Sequence, residues 1–404
     1  MDKRKTKEGF DILWNSTIDT ISTSEWEEVF EKKIVKSPLF FKASELATIP
    51  DTSFLYLKIT RENKVFAIIP CFTYNLSLDI LAPTLIKRIL KFLRLFFPKL
   101  LRIRIFGIGS LASTCCQHIG IRKNISEDDF NLLSNIITNE IKSKAKKLKH
   151  RILFLKEVPA NKLEEIAKVF KNEFHFYYSL PNCYIPTLRD FSPYPLALKR
   201  KERQRIRNMK EKFNKSYRWD LIQDFSEVAD IFEKLYLETL GRSKNKFEIL
   251  NKEYFFALNN LFRDSSFFLA AKNKCDQIEA IGIVLEDTES LTPLYLGLNH
   301  MNRVDDIKLL HTNSLLRVVE EAELRGKSYI ALGQTSYYSK VLSGAVVEKL
   351  YLGFYSYNIF IQFIIKTFFG RLFLDTKVLN NIYSKAYFDK VKEWSSDRGI
   401  EICN

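Results

Sequence analysis

The sequence predicts an α/β (α+β) protein of two modules in tandem, each a mixed, largely antiparallel sheet flanked by helices. Three observations carry this expectation. The chain has 404 residues, beyond the roughly 250–300 at which a single core stops growing and chains divide into domains. Its apolar fraction of 46%, with 33 Phe and 18 Tyr against 13 Gly and 11 Pro, supplies ample core for a folded protein. The order of elements read in the first half also recurs in the second, as expected for duplication of one fold.

In the first half the pattern gives helices at 25–33 and 38–48, strands at 54–60, 65–72 and 102–106, a helix at 127–149, a strand at 151–157, a helix at 161–172 and a strand at 174–178. The boundary falls within 181–218. In the second half a strand at 219–225 precedes helices at 228–240 and 252–263; the latter carries Tyr254, Phe255, Leu258 and Leu261 at helical spacing. Short β-rich runs at 267–272, 278–285 and 291–299, separated by polar turns, read as an antiparallel meander. A helix at 308–325, a strand at 328–332, a short helix at 336–342 and a strand at 346–355 complete the order. The predicted domains are 1–185 with a basic amphipathic insertion at 83–100, an interdomain basic helix at 186–218, a second module at 219–375 and a helical tail at 376–404.

The first residues, Met1-Asp2-Lys3-Arg4-Lys5, are basic, but Glu8, Asp11 and Asn15 stand where a secretory signal needs an apolar run. A cytoplasmic location is therefore expected. Six cysteines (Cys71, Cys115, Cys116, Cys183, Cys275, Cys403) are scattered without a C-x-x-C pair, and the five histidines show no ligand spacing. Reduced core thiols and no metal are expected.

The formal net charge of +15 implies a polyanionic neighbour: nucleic acid, anionic lipid or a phosphorylated cofactor. Residues 199–218 hold ten basic and two acidic side chains, with Ile206, Met209 and Phe213 on one helical stripe. Residues 80–126 hold no acidic residue, and within 84–97 the cations Lys87, Lys91 and Arg94 share one helical face while leucines, isoleucines and phenylalanines fill the others. A second greasy and basic stretch, 359–374, contains Phe360, Phe363, Ile364, Phe368 and Phe369 with Lys366 and Arg371. Neither reaches the roughly 18 apolar residues needed to span a bilayer, so both read as helices lying in the inner membrane interface or, alternatively, packed within the protein.

The sharpest local motif is Leu332-Gly333-Gln334-Thr335-Ser336-Tyr337-Tyr338-Ser339-Lys340-Val341-Leu342-Ser343-Gly344, followed by Leu350-Tyr351-Leu352. It resembles the G-x-x-x-Y-x-x-K-x-x-x-G…P-L-Y pattern of FemAB-like and peptidoglycan-bridge-type acyltransferases, a tandem-GNAT group; Lys349 stands where such proteins often carry Pro. The resemblance extends over about 190–357 and more faintly over the first half. A glycine at a strand end permits a positive φ or a close backbone approach. Tyr337 and Lys340, three apart on a short helix, lie on one face and offer a hydroxyl and a cation to one ligand. Alternatively, Tyr337 is core and Lys340 an ordinary surface lysine.

The resemblance implies an N-acyltransferase acting on an amine of a cell-envelope or lipid-type acceptor, with Tyr337 and Lys340 as catalytic residues. It implies donor contacts at Tyr295, Gly297, Asn299, Gly333, Gln334 and Thr335, and acceptor-side contacts at Arg242 and Lys246. A splayed central strand, here 294–298, would polarise the donor carbonyl through backbone N–H groups, with Gly297 allowing the approach. The stretch from His300 to Lys308, where an acetyl-CoA loop would lie, has no glycine, which leaves acyl-CoA and aminoacyl-tRNA open as donor co-substrate. No general base is assigned; His300 and His311 lack an identifiable carboxylate partner. The alternative function is a non-catalytic basic scaffold for RNA or an anionic membrane surface.

Overall fold

The computed structural model describes residues 2–77, 102–188, 191, 193–243, 248–334, 336–372 and 382–400. The expected cationic face of Lys87, Lys91 and Arg94 therefore lies outside the described residues, as do Thr335, Lys246 and Cys403. The chain forms two compact units that are not linear halves. The first comprises Met1–Ser179, Ser243–Leu250 and Tyr351–Leu374; the second comprises Leu180–Arg242, Asn251–Leu350 and Asp375–Asn404.

The first unit is built on a sheet of strands β1 (Asp2–Lys5), β2 (Asp11–Asn15), β3 (Ser53–Arg61), β4 (Lys64–Ser77), β5 (Arg102–Ile108), β7 (Ile152–Pro159) and β8 (His175–Tyr178). The sheet order is β1-β2-β3-β4-β5-β7-β16-β8, where β16 is Leu350–Ser356 and a short β6 (Gly120–Ile121) pairs with β4. Pairing is antiparallel from β1 to β5 and parallel between β5 and β7. Helices α1 (Thr23–Glu27) and α2 (Pro38–Leu46) follow β2, α3 (Glu127–Lys147) links β5 to β7, and α4 (Leu163–Val169) follows β7. The start of α3 is fixed by Ser126, whose hydroxyl accepts from the Asp129 N–H, and by Glu127, Asp128 and Asp129 in its first turn, while Lys144, Lys146 and Lys147 complement the last turn. Its apolar stripe of Leu133, Ile137 and Ile141 is fully buried against Phe106, Ile108 and Leu153 of the sheet.

The second unit repeats the plan with β10 (Tyr217–Ile222), β11 (Ser266–Asn273), β12 (Ile278–Glu286), β13 (Ser290–Leu298), β14 (Tyr329–Ala331), β9 (Asn182–Pro186) and β15 (Val346–Glu348) in that order. The pairings are antiparallel up to β13, parallel between β13 and β14, and antiparallel again through β9 to β15. Helices α5 (Arg200–Asn214), α6 (Ala229–Arg242), α7 (Lys252–Leu261), α8 (Val304–Leu324) and α9 (Tyr337–Val341) belong to this unit, α10 (Ile359–Leu372) to the first, and α11 (Lys385–Asp397) again to the second.

The two sheets thus share one topology: β2-β3-β4-β5-β7-β16-β8 matches β10-β11-β12-β13-β14-β9-β15, with α3 and α8 in equivalent crossovers. In each sheet, the strand between the fifth and the last comes from the chain that immediately follows the other module's last strand. This exchange corrects two expectations. The strand expected at 346–355 is two strands in two sheets, β15 and β16, and the stretch expected to be boundary from residue 181 contains β9, an interior strand of the second sheet. The first two strands and their hairpin were also missed, because Asp2–Lys5 carries no apolar alternation. Helix α1 is shorter than the 25–33 expected, and 161–172 contains a turn of 3-10 helix before α4.

Candidate active site

The distinctive feature of the second sheet is where β13 and β14 part. They pair at only two positions, Ser290 with Tyr329 and Leu291 with Ile330, while β13 runs on as Thr292–Leu298 against β12 alone among the described strands. A bulge in this stretch, at the register shift opposite Ile283/Val284, increases the local twist and turns the strand away. The Asn299 N–H donates to the Glu279 carbonyl of β12, whereas the Leu298 N–H points the other way, to the Thr239 hydroxyl of α6 at 2.9 Å. Strand alternation therefore places the Leu296 N–H on the diverging side.

At the end of β14, Gly333 adopts φ +76, the left-handed backbone its position in the motif required. Ser336 is also left-handed, at φ +56, and opens α9. Lys340 on α9 is not the exposed cation the spacing predicted: it is 5% exposed, and its Nζ donates to the carbonyls of Leu332 at 2.6 Å and Gly333 at 3.0 Å. Buried carbonyls at a strand end that no partner strand takes need donors, and the lysine supplies them. Tyr337 is half-buried against the core cluster of β9, β14 and α8, so the two side chains do not project together into solvent. The far end of the motif is tied down by Tyr194 and Tyr383, whose hydroxyls donate to the carbonyls of Ser343 and Gly344, and by Arg205 of α5, which donates to the Leu342 carbonyl at 2.6 Å.

The other predicted residues have structural partners. Gly297 faces α6: a Cβ there would lie 2.7 Å from Leu235 Cβ and 2.8 Å from the Tyr236 backbone nitrogen, so its bareness admits the close approach of a helix backbone. Tyr295 packs edge-on against Tyr236, Tyr254 and Phe255. Asn299 closes a turn, donating to Glu279 at 2.7 Å and accepting from the Met301 N–H. Gln334 donates to the Leu180 carbonyl at 2.9 Å. Arg242 is exposed at the end of α6, and with burial it holds the His300 imidazole below its usual range. His311 of α8 is depressed to about 4, by burial first and then by the Lys340 cation, so a neutral imidazole stands near the strand end at physiological pH.

The start of α8 carries Asp305 and Asp306 in its first turn, with Arg303 Nε held 3.1 Å from Asp306. Carboxylates of the chain itself thus occupy the positive helix end that would otherwise attract a pyrophosphate. The basic helix α5 buries Ile206 and Phe213 and pairs Lys210 with Glu320 of α8, but leaves Arg200, Lys201, Arg203, Arg207, Lys212 and Lys215 exposed. Among the described residues no cluster of His, Cys, Asp or Glu is arranged to hold a metal ion. Of the described cysteines Cys71, Cys115 and Cys183 are buried, Cys116 is half-buried and Cys275 is exposed.

In the first sheet the equivalent place is closed. Strand β5 ends at Ile108, paired with Leu155 of β7, and the segment that follows folds over the end of β7. Lys156 Nζ donates to the Leu111 carbonyl at 2.7 Å and to Ser113 at 3.2 Å, with Glu248 3.8 Å away. Glu157, at φ +57, accepts from the N–H groups of Thr114 and Cys115. Burial raises its pKa against the lowering effect of Lys156. This cluster was not anticipated, although the charged pair Lys156-Glu157 inside an apolar strand is a legible signal.

No family model and no curated protein matches the chain. Among solved structures, FemX is similar with a TM-score of 0.53 at 10% identity, the match covering 91% of this chain and 100% of that one. A tandem GNAT protein from the clavulanic acid biosynthesis pathway is similar with a TM-score of 0.51 at 9% identity, covering 86% and 98%. The fold of this chain is accordingly the tandem-GNAT fold, two mixed sheets flanked by helices.

Proposed function

We propose that the chain is an N-acyltransferase whose donor cleft is the divergence of β13 and β14 in the second module. The observation that carries this reading is the parting of β13 from β14 beyond Leu291, which leaves the Leu296 N–H on the diverging side while Lys340 holds the carbonyls where β14 ends. In the reaction the acceptor amine attacks the donor carbonyl and an amide bond forms. The bond to the donor's leaving oxygen or sulfur breaks, and the amine proton passes to that leaving group. The Leu296 N–H stabilises the oxyanion that develops on the carbonyl, the role in which a preorganised donor contributes most. Gly333, Gln334 and Tyr337 then line the strand-end wall of the cleft, and Lys340 acts by holding that wall.

The donor favoured is aminoacyl-tRNA over acyl-CoA. Asp305 and Asp306 repel a pyrophosphate at α8, while the exposed cations of α5, tied through Arg205 to the motif, suit a long phosphate backbone. The acceptor is an amine of a cell-envelope or lipid-type molecule, as the sequence resemblance implies. Incubation with labelled aminoacyl-tRNA and, separately, an acyl-CoA panel tests this against an amine acceptor mixture. Transfer from charged tRNA that falls steeply with salt is expected. Transfer from acyl-CoA alone overturns the donor assignment, and transfer from neither, with retained RNA or vesicle binding, favours the basic scaffold.

A further inference from the structure

We infer that the outward face of α10 is a docking surface for an anionic lipid bilayer. At 100° per residue, Ile359, Phe360 and Phe363 fall within one arc of the helix, and they are 83%, 70% and 65% exposed. Ile365, on the opposite side, is buried and anchors the helix to its own unit. Two phenylalanines and an isoleucine standing out of a folded surface on one helical face form a contiguous apolar patch, unlike single apolar residues scattered over a surface.

Polar groups on and beside this face are hydrogen-bonded within the helix. Asn358 Oδ1 accepts from the N–H groups of Phe360 at 2.9 Å and Ile361 at 3.2 Å, and the Thr367 hydroxyl, on the same arc, donates back to the Phe363 carbonyl at 2.9 Å. Entry of the face into an apolar medium therefore strands few hydrogen-bonding groups. Lys366 is exposed at the edge of the arc, and the chain holds no acidic residue from Lys349 to Leu374. A cation at the rim of a segment that carries no carboxylate of its own fits a negatively charged surface and disfavours a second copy, which would bring like charges together. At 14 residues the helix is too short to cross a bilayer and suits one lying in its plane.

The test is sedimentation of the full chain with vesicles of phosphatidylcholine alone and of phosphatidylcholine mixed with phosphatidylglycerol. Wild type is expected to partition onto the mixed vesicles, and F360S/F363S to bind at least tenfold more weakly at both low and raised salt with an unchanged thermal midpoint. Lys366→Glu is expected to weaken binding to the mixed vesicles only. Unchanged binding by F360S/F363S overturns the inference. So does a wild-type dimer that this variant converts to monomer without loss of vesicle binding. Transfer between a soluble donor and a soluble amine is retained by F360S/F363S, so this inference and the proposed reaction fail separately.

Discussion

The ammonium of Lys340 lies 2.6 Å from the Leu332 carbonyl, inside the protein, at the point where β14 ends beside the diverging β13. A lysine here is a clamp on a strand end. Replacing it by methionine keeps the aliphatic stem and deletes only the donor, leaving the Leu332 and Gly333 carbonyls short of a partner. An unmet buried acceptor costs about 1–3 kcal/mol, so Lys340→Met, which leaves two, is expected to destabilise the fold by at least about 2 kcal/mol in chemical denaturation. Tyr337→Phe, which removes one hydroxyl from a half-buried ring, should stay within about 0.5 kcal/mol. Equal stability of Lys340→Met and wild type would return Lys340 to the surface.

The same cation acts on His311. Burial is the larger cause and Lys340 the second in bringing the imidazole from 6.5 to about 4. A histidine that binds its proton less readily folded than unfolded contributes stability above about 6.5 that is lost as pH falls toward 4. NMR titration should therefore show His311 neutral at pH 6 in wild type, and a partial upward shift in Lys340→Met. An unshifted imidazole in the variant would separate the two residues.

Gly297 makes a third test, because its expected role and its observed surroundings differ. A methyl group there would lie within 2.8 Å of α6 backbone atoms, contacts that neither a rotamer change nor a side-chain shift relieves. Gly297→Ala is expected to lower stability by about 1–3 kcal/mol through overpacking, measured by the denaturation midpoint. An unaffected midpoint would mean that α6 yields.

What was legible in the sequence followed from periodicity and from the chain's own punctuation. The meander Ser266–Leu298 showed as short β-rich runs between polar turns, buried on both faces in β11 and β12, and the helix of Leu309, Leu310, Leu316 and Val319 showed the period of 3.6 that one buried face imposes. The exchanged strands were not legible, since Asn182–Pro186 and Leu350–Ser356 are short and their sheet is decided by distant partners. At the site, the left-handed Gly333 was readable from its type, whereas the burial of Lys340 was not: lysines default to solvent, and only a strand end in need of donors reverses that.

If β13 polarises the donor carbonyl through the Leu296 N–H, deleting that donor abolishes the polarisation, and proline deletes a backbone N–H most directly. Proline is tolerated where a strand N–H faces away from its ladder partner, and Leu296→Ala, which keeps the N–H, controls for the side chain. With the donor that supports transfer in wild type, Leu296→Pro is expected to lose about a hundredfold or more in kcat, the loss typical of one oxyanion donor, while Leu296→Ala stays within about tenfold and both keep a cooperative thermal transition. Equal transfer by folded Leu296→Pro and Leu296→Ala would contradict it and move the reacting carbonyl away from β13.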